Sequence, residues 1–190
     1  MKFVVNKSDL PAFYPTHRHD PKFWETLGRV VATFGFLEEV LGKAIFALTG
    51  TKQYPEEEIE AELEKWLKTL ERAVSDPLGQ LISEYVKAVK NNPEATITNI
   101  DALGDDLRNA ARLRNALCHG SWRAPNADGA SRLFYIEKKG MQRFDSEVDI
   151  QFLQDTQRGA AELATEVVNT VTTMGLQFPG SEGPGQKIWN

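Results

Sequence analysis

Arg114 and His119 are the two residues of this chain whose types and spacing point most directly to chemistry. They stand five positions apart in the run Leu113-Arg114-Asn115-Ala116-Leu117-Cys118-His119-Gly120, and the chain has only three histidines. A histidine exchanges protons near neutral pH, so it can act as a general base or acid. An arginine presents a planar fork of N–H donors that fits a carboxylate or a phosphate. The pair therefore predicts a site that handles a phosphate group.

Three further arginines stand near this run, namely Arg108, Arg112 and Arg123. Together they predict a local patch that attracts an anionic substrate. Cys118 and His119 do not form a thiol–imidazole dyad, because adjacent residues of a helix do not face each other. A histidine at the end of a helix can also cap that helix or face solvent, and this alternative stays open.

The elements that must position these residues are predicted to be helices, because apolar residues recur at helical spacing in five segments. The first helix begins at Asp20-Pro21, a cap followed by a proline, and ends at Gly50. The others are expected to begin at Pro55, at Pro77, near Thr98 (where Thr98 and Asp101 suggest a capping box) and at Ile150. Gly120 is predicted to stop the fourth helix.

A short β-hairpin is predicted at about 131–145, where Arg132–Glu137 and Met141–Phe144 flank Lys138-Lys139-Gly140. The expected fold class is all-α, an up-and-down bundle of about five helices with this hairpin inserted. Its domains would be an N-terminal extension over 1–19, a helical domain over 20–176 and a flexible Gly- and Pro-rich tail over 177–190.

Composition limits the classes of protein to consider. The chain has 190 residues, of which 41% are hydrophobic and 26% charged, enough for one domain with a core. No apolar run is long enough to predict a membrane span or a signal peptide, and a single cysteine fits a reducing, cytoplasmic location. A net charge of −5 argues against non-specific coating of nucleic acid but allows a small basic site.

Two charged residues of opposite sign are predicted to face inward. At about 100° per residue, Glu38 projects onto the apolar arc of the first helix and Arg114 onto that of the fourth. The arcs are formed by Leu27, Val31, Phe34, Leu41 and Ile45, and by Ile100, Leu103, Leu107, Ala111 and Cys118. A lone buried charge is costly, so Glu38 and Arg114 are expected to pair. Such a pair either fixes the register of two helices or marks a site.

Two weaker patterns remain. His17-Arg18-His19-Asp20 resembles a metal-binding tract, but no further histidine or cysteine stands near it, so neither a metal nor another cofactor is predicted. Gly28, Gly35 and Gly42 share one stripe of the first helix. Unless the stripe is accidental, it predicts a close approach by another helix, within the chain or across a dimer.

The Arg-Asn-x-x-x-His pattern of Arg114, Asn115 and His119, followed by Gly120, resembles the hallmark motif of the HEPN superfamily of helical ribonucleases and toxin components. Gly35-Phe36-Leu37-Glu38 is similar to the first-helix segment of that family, which carries an acidic or polar residue. The resemblance implies a metal-independent endoribonuclease, usually a homodimer, that cleaves RNA by attack of a 2′-OH on the neighbouring phosphate.

The resemblance also implies catalytic roles for four residues. His119 would take the 2′-OH proton, Arg114 would stabilise the phosphorane, Asn115 would orient the phosphate or the imidazole, and Glu38 would hold Arg114. It further suggests a toxin or defence component with an antitoxin or another partner encoded by a neighbouring gene. The alternative is a non-catalytic module of the same type that binds nucleotide, RNA or a protein.

Helix geometry sets a condition on these roles. Arg114 and His119 lie about 140° apart around an ideal helix. They can converge on one phosphate if the helix unwinds near Gly120, if the arginine curls round the helix, or if the two residues come from different subunits.

Overall fold

The computed structural model describes residues 4–75, 77–137 and 141–188. Its helices are α1 (Pro21–Gly50), α2 (Ile59–Ser75), α3 (Leu78–Asn91), α4 (Ile100–His119) and α5 (Ile150–Thr172). Its strands are β1 (Ser121–Trp122), β2 (Ser131–Phe134) and β3 (Glu147–Val148), which form an antiparallel sheet in the order β1-β2-β3. Short 3-10 helices span Lys7–Asp9 and Glu56–Glu58. The sequence predicted an all-α bundle of about five helices with a short hairpin, and the described part of the chain confirms five helices in a mainly α-helical fold with a small sheet.

Helix α1 is the centre of the bundle. It packs against α2, α3 and α5, whereas α4 packs mainly against α3 and makes fewer contacts with α1 and α5. The side chains of α1 that are almost completely buried follow the helical period: Val30, Leu37, Leu41, Ala44, Ile45, Ala47 and Leu48. Burial of this apolar stripe is the main driving force that assembles the helices.

The starts of the helices confirm some of the predicted caps and correct one. Asp20 Oδ1 accepts a hydrogen bond from the backbone N–H of Lys22 at 2.7 Å, as expected for the cap of α1. The capping box predicted at Thr98 and Asp101 is wrong, because α4 begins after Asn99 and has no side-chain cap bond. The carboxylate of Asp101 instead pairs with Lys90 Nζ of α3 at 2.6 Å and does not cap the start of α4.

The predicted hairpin is part of a larger sheet. Ile136 pairs with Arg143, and the N–H of Glu137 donates to the carbonyl of Gln142 at 2.8 Å, as the hairpin requires. Its turn at 138–140 lies outside the described residues. The longer ladders of β2 run to β1 and β3, which the sequence did not predict, because two-residue strands are too short to show alternation.

The segments outside the helical core also make contacts. Trp24 Nε1 donates to the carbonyl of Thr16 at 3.0 Å, which holds the segment before α1 against its first turn. After α5, the N–H of Gln177 donates to the carbonyl of Gln186 at 2.6 Å, and Phe178 is buried. Within the described ranges, no helix is long and apolar enough to cross a membrane.

Gly120 ends α4 and joins it to the sheet. Its φ of −76° and ψ of 149° are open to any residue, so the left-handed conformation typical of a glycine cap is not the reason for glycine here. A Cβ at this position would lie 1.6 Å from Leu133 Cδ1 and 2.7 Å from the carbonyl oxygen of Ala116. The glycine is therefore required by the close approach of β2 to the end of α4.

We expect Gly120→Ala to lower the free energy of unfolding by about 1–3 kcal/mol, because the added methyl forces Leu133 and the strand away from the helix. Urea unfolding followed by circular dichroism measures the change. The matched control is Gly28→Ala in α1, where an added Cβ meets nothing within 4 Å. That variant should be neutral or more stable by up to about 1 kcal/mol. An equal response of the two variants would contradict the packing argument.

Candidate phosphate-binding site at the end of helix α4

The predicted pair of inward charges is present. Arg114 Nη2 of α4 donates to Glu38 Oε1 of α1 at 3.3 Å. The two side chains are 30% and 31% exposed, so the pair lies at the border of the core rather than within it. It links two helices that otherwise make few contacts with each other, and it fixes the position of the guanidinium group.

Asn115 contacts the same guanidinium group. Arg114 Nη1 donates to Asn115 Oδ1 at 3.2 Å, so one terminal nitrogen binds the carboxylate and the other binds the amide. A guanidinium group has five N–H donors, and these two bonds leave others for an anion. Three of the four residues that the motif singled out, Glu38, Arg114 and Asn115, therefore form one connected cluster.

His119 is not part of that cluster. It is the last residue of α4 and is exposed. Helix α4 runs without a break to His119, so unwinding before Gly120 does not bring the imidazole to the arginine. Arg114 itself reaches towards α1, and in the described ranges no hydrogen bond or ion pair joins it to His119. Two of the three routes to convergence, unwinding of the helix and curling of the arginine towards the histidine, are therefore not seen in this structure.

The three arginines of the predicted patch are exposed but differ in their partners. Arg108 pairs with Asp105 at 2.7 Å, and Arg112 Nε pairs with Glu137 at 2.9 Å. Arg123 lies over the ring of Phe134, with 5.5 Å between its Cζ and the ring centroid. Positive charge at this end of the molecule is thus partly neutralised at Arg108 and Arg112.

Two residues assigned to the apolar arcs are exposed instead. Val31 is 43% exposed, because the buried arc of α1 is centred on Val30, Leu37 and Leu41 and Val31 lies at its edge. Cys118 is also exposed, since the buried residues of the last turn of α4 are Ala116 and Leu117. The displacement of the α1 arc also explains why Glu38 is only half-buried.

The structure explains one of the three glycines of the α1 stripe by close packing and leaves the other two facing open space. A Cβ on Gly42 would lie 2.9 Å from the carbonyl oxygen of Ala73, so α2 approaches α1 closely there. Around Gly28 and Gly35, an added Cβ would meet nothing within 4 Å. The predicted close approach is therefore found within the chain at Gly42 only.

His19 has a structural role that the sequence did not reveal. It is 9% exposed and packs against Phe23 and Trp24, with ring centroids 4.8 Å and 4.9 Å away. The Ser131 hydroxyl donates to the carbonyl of Arg123, so it accepts from Nε2–H of His19 at 2.5 Å. Nδ1 is buried and has no hydrogen-bond partner in the described part of the chain. Burial lowers the pKa of His19.

Metal binding and similarity to other proteins give no further guide to the site. Among the described residues, no group of three or more His, Cys, Asp and Glu side chains is arranged to hold a metal ion. The chain matches no family model, no curated protein and no solved structure. Its function must therefore be argued from the site itself.

We expect the Glu38–Arg114 pair to show a coupling energy of about 0.5–1.5 kcal/mol, more than an exposed pair, because the two side chains are less accessible to water. The measurement is a double-mutant cycle of urea unfolding with Glu38→Gln, Arg114→Gln and the double variant. Arg158–Asp155, at 2.6 Å with side chains 63% and 54% exposed, is the matched control and should give less than about 0.5 kcal/mol. Equal coupling energies for the two pairs would mean that Glu38–Arg114 contributes no more than an exposed surface pair.

We expect the free energy of unfolding to fall as the pH drops from about 7.5 to about 5.5, partly because of His19. Its pKa in the folded protein lies below the ordinary value of 6.5, so the unfolded chain takes up a proton that the folded chain resists. His19→Gln should flatten this pH dependence. His17→Gln, at an exposed histidine two positions away, should leave it unchanged. A slope that survives in His19→Gln would exclude the buried imidazole as its source.

Proposed function

We propose that this protein is a metal-independent endoribonuclease of HEPN type. The observation that carries the proposal is the clamp on Arg114, whose guanidinium group is held by Glu38 and Asn115 and keeps further donors for a phosphate. A fixed cation with free donors is suited to stabilise charge that develops on a phosphoryl group. His119, exposed five residues further on, supplies an imidazole, the side chain that most often acts as a general base or acid.

The proposed reaction is an internal transesterification of RNA. Neutral His119 takes the proton of a ribose 2′-OH, and the oxygen attacks the adjacent phosphorus. A pentacoordinate phosphorane forms, and Arg114 stabilises its negative charge. The bond from phosphorus to the 5′-oxygen then breaks, and that oxygen takes a proton from solvent or from an imidazolium group. The products are a 2′,3′-cyclic phosphate and a 5′-OH end.

We propose that two copies of the chain form the active unit. Within one chain the clamped Arg114 and the exposed His119 belong to different faces of α4, so one phosphate can meet both only if a second subunit brings its histidine. Val31 of α1 lies two helical turns before Glu38 on the same side of the helix, and its apolar side chain, 43% exposed, is available for such contact. In a two-fold dimer each composite site occurs twice.

A second candidate is a non-catalytic module that binds nucleotide, RNA or a protein. It is favoured by the ion pairs of Arg108 and Arg112, which reduce the positive charge available for a long RNA. A role as a toxin or defence component, with an antitoxin or another neighbouring-gene product as partner, is compatible with either candidate.

We expect the purified protein to cleave single-stranded RNA in the presence of EDTA and to leave 2′,3′-cyclic phosphate ends. His119→Ala should reduce the rate by about 10²–10⁴-fold, because general-base catalysis contributes that much. The readout is gel electrophoresis of an end-labelled RNA, with treatment by a phosphatase that opens cyclic phosphates to identify the ends. His17→Ala, at another exposed histidine, is the matched control and should keep full activity.

Mixing of inactive variants tests the dimer in the same assay. If the site is shared, His119→Ala and Arg114→Ala are each inactive, and an equal mixture recovers about a quarter of the activity, because half of the dimers are mixed and carry one intact site. Cleavage that survives in His119→Ala would overturn the proposed chemistry. RNA binding without any cleavage by the unaltered protein would favour the non-catalytic module.

A further inference from the structure

The exposed face of the small sheet carries an aromatic ring next to two cations. Burial alternates along β2, with Ser131 and Leu133 buried and Arg132 and Phe134 exposed. Phe134 is 44% exposed, although a phenyl ring is among the side chains that folding most strongly removes from water. A ring kept at the surface in this way is available to a ligand.

The cations around Phe134 come from two different segments. The Cζ atoms of Arg123, which follows β1, and of Arg143, which precedes β3, lie 5.5 Å and 6.0 Å from the ring centroid. Arg143 also pairs with Asp145 at 3.8 Å, but the side chains are 60% and 84% exposed, so this pair is weak. Arg123 has no ion pair with a carboxylate in the part of the chain that the structure describes. Positive charge is therefore available beside the ring.

The strand pairing brings this ring close to the proposed catalytic histidine. Ser121 of β1 is paired with Phe134, and it follows His119 by two residues. Neighbouring Cα atoms are about 3.8 Å apart and paired strands about 5 Å, so the Cα atoms of His119 and Phe134 are at most about 13 Å apart. One extended strand of nucleic acid can reach both.

We propose that this surface, formed by Arg123, Phe134 and Arg143, binds an unpaired nucleotide of single-stranded RNA next to the cleaved bond. The base stacks on the phenyl ring, and the two guanidinium groups contact the flanking phosphates. Exposed arginine side chains change rotamer within nanoseconds, so they can leave the ring for the phosphates when the base arrives. The inference rests on the proposed ribonuclease function, because it assigns a binding surface for the same RNA.

The chemistry of the surface favours single-stranded RNA over other occupants. Aromatic rings next to arginine are the usual platform for unpaired bases, since stacking accepts any base and the cations follow the backbone. In a double helix the bases are already stacked on one another and have no free face for Phe134. The net charge of −5 disfavours non-specific binding of a polyanion, so RNA binding requires a local cationic patch.

The test measures binding separately from cleavage. Fluorescence anisotropy with a labelled oligouridine is performed on the His119→Ala protein, which cannot consume the probe. Adding Phe134→Ala should raise the Kd by about fivefold or more, because stacking on one aromatic ring contributes that much. Phe36→Ala, which removes a ring of α1 that is 53% exposed, is the matched control and should leave the Kd unchanged.

Salt dependence distinguishes the ring from the cations. Arg123→Ala and Arg143→Ala should each lower the slope of log Kd against log salt concentration by about 0.7, the value for one phosphate contact on a single strand. Phe134→Ala should weaken binding without changing that slope, since a phenyl ring releases no counterions. A duplex of the same length should bind more weakly to the unaltered surface and respond little to Phe134→Ala.

The outcomes separate this inference from the proposed function. Equal Kd values for Phe134→Ala and Phe36→Ala overturn the inference, even if the protein cleaves RNA. Loss of binding in Phe134→Ala supports it, even if no cleavage is ever detected. Absence of any binding of the oligouridine overturns it as well. The variants should unfold at the same temperature as the unaltered protein, because the replaced side chains are exposed. This control shows that weaker binding comes from the lost contact and not from misfolding.

Discussion

The contact between Glu38 and Arg114 is the interaction on which the candidate site depends. Helix α4 packs mainly on α3 and makes few contacts with the central helix α1, and this ion pair at 3.3 Å is one of the links between α4 and α1. Removing Glu38 leaves the guanidinium group half-buried with Asn115 as its remaining partner, so its position is less restricted. The pair joins α4 to α1 and holds the Arg114 guanidinium group beside Asn115.

A second constraint connects α4 to the sheet. The side chain of Leu133 occupies the space where a side chain on Gly120 would be. Leu133 of β2 therefore packs directly against the backbone at the end of α4. His119 is the residue just before this contact. Its backbone is consequently held by a helix on one side and by a strand on the other, while its imidazole remains exposed. A rigid backbone with an accessible side chain is a suitable support for proton transfer.

Much of this architecture could be predicted from local patterns, and the failures have physical causes. Helical spacing and the Asp20-Pro21 start predicted α1, and the same spacing predicted that Glu38 and Arg114 would meet. The spacing of apolar residues could not show that Val31 of α1 and Cys118 of α4 are exposed. Both lie at the edge of an apolar stripe, and the packing of the neighbouring elements decides whether such an edge is covered. The sequence could not predict the partners of Asp101 and His19 either. Lys90 and Ser131 are distant in sequence, and only the folded chain brings them close.

The structural and functional interpretations of the ion pair can be reconciled through Asn115. A pair that only fixed two helices would need one carboxylate and one guanidinium group, and any residue could follow the arginine. Here the amide oxygen of Asn115 accepts from the nitrogen that Glu38 leaves unused. The two contacts restrict rotation of the guanidinium plane, so its remaining donors keep one direction. Preorganised donors stabilise a developing charge more strongly than mobile ones, because no reorganisation is needed when the charge appears. The contact between α1 and α4 and the proposed phosphate site thus involve the same three side chains.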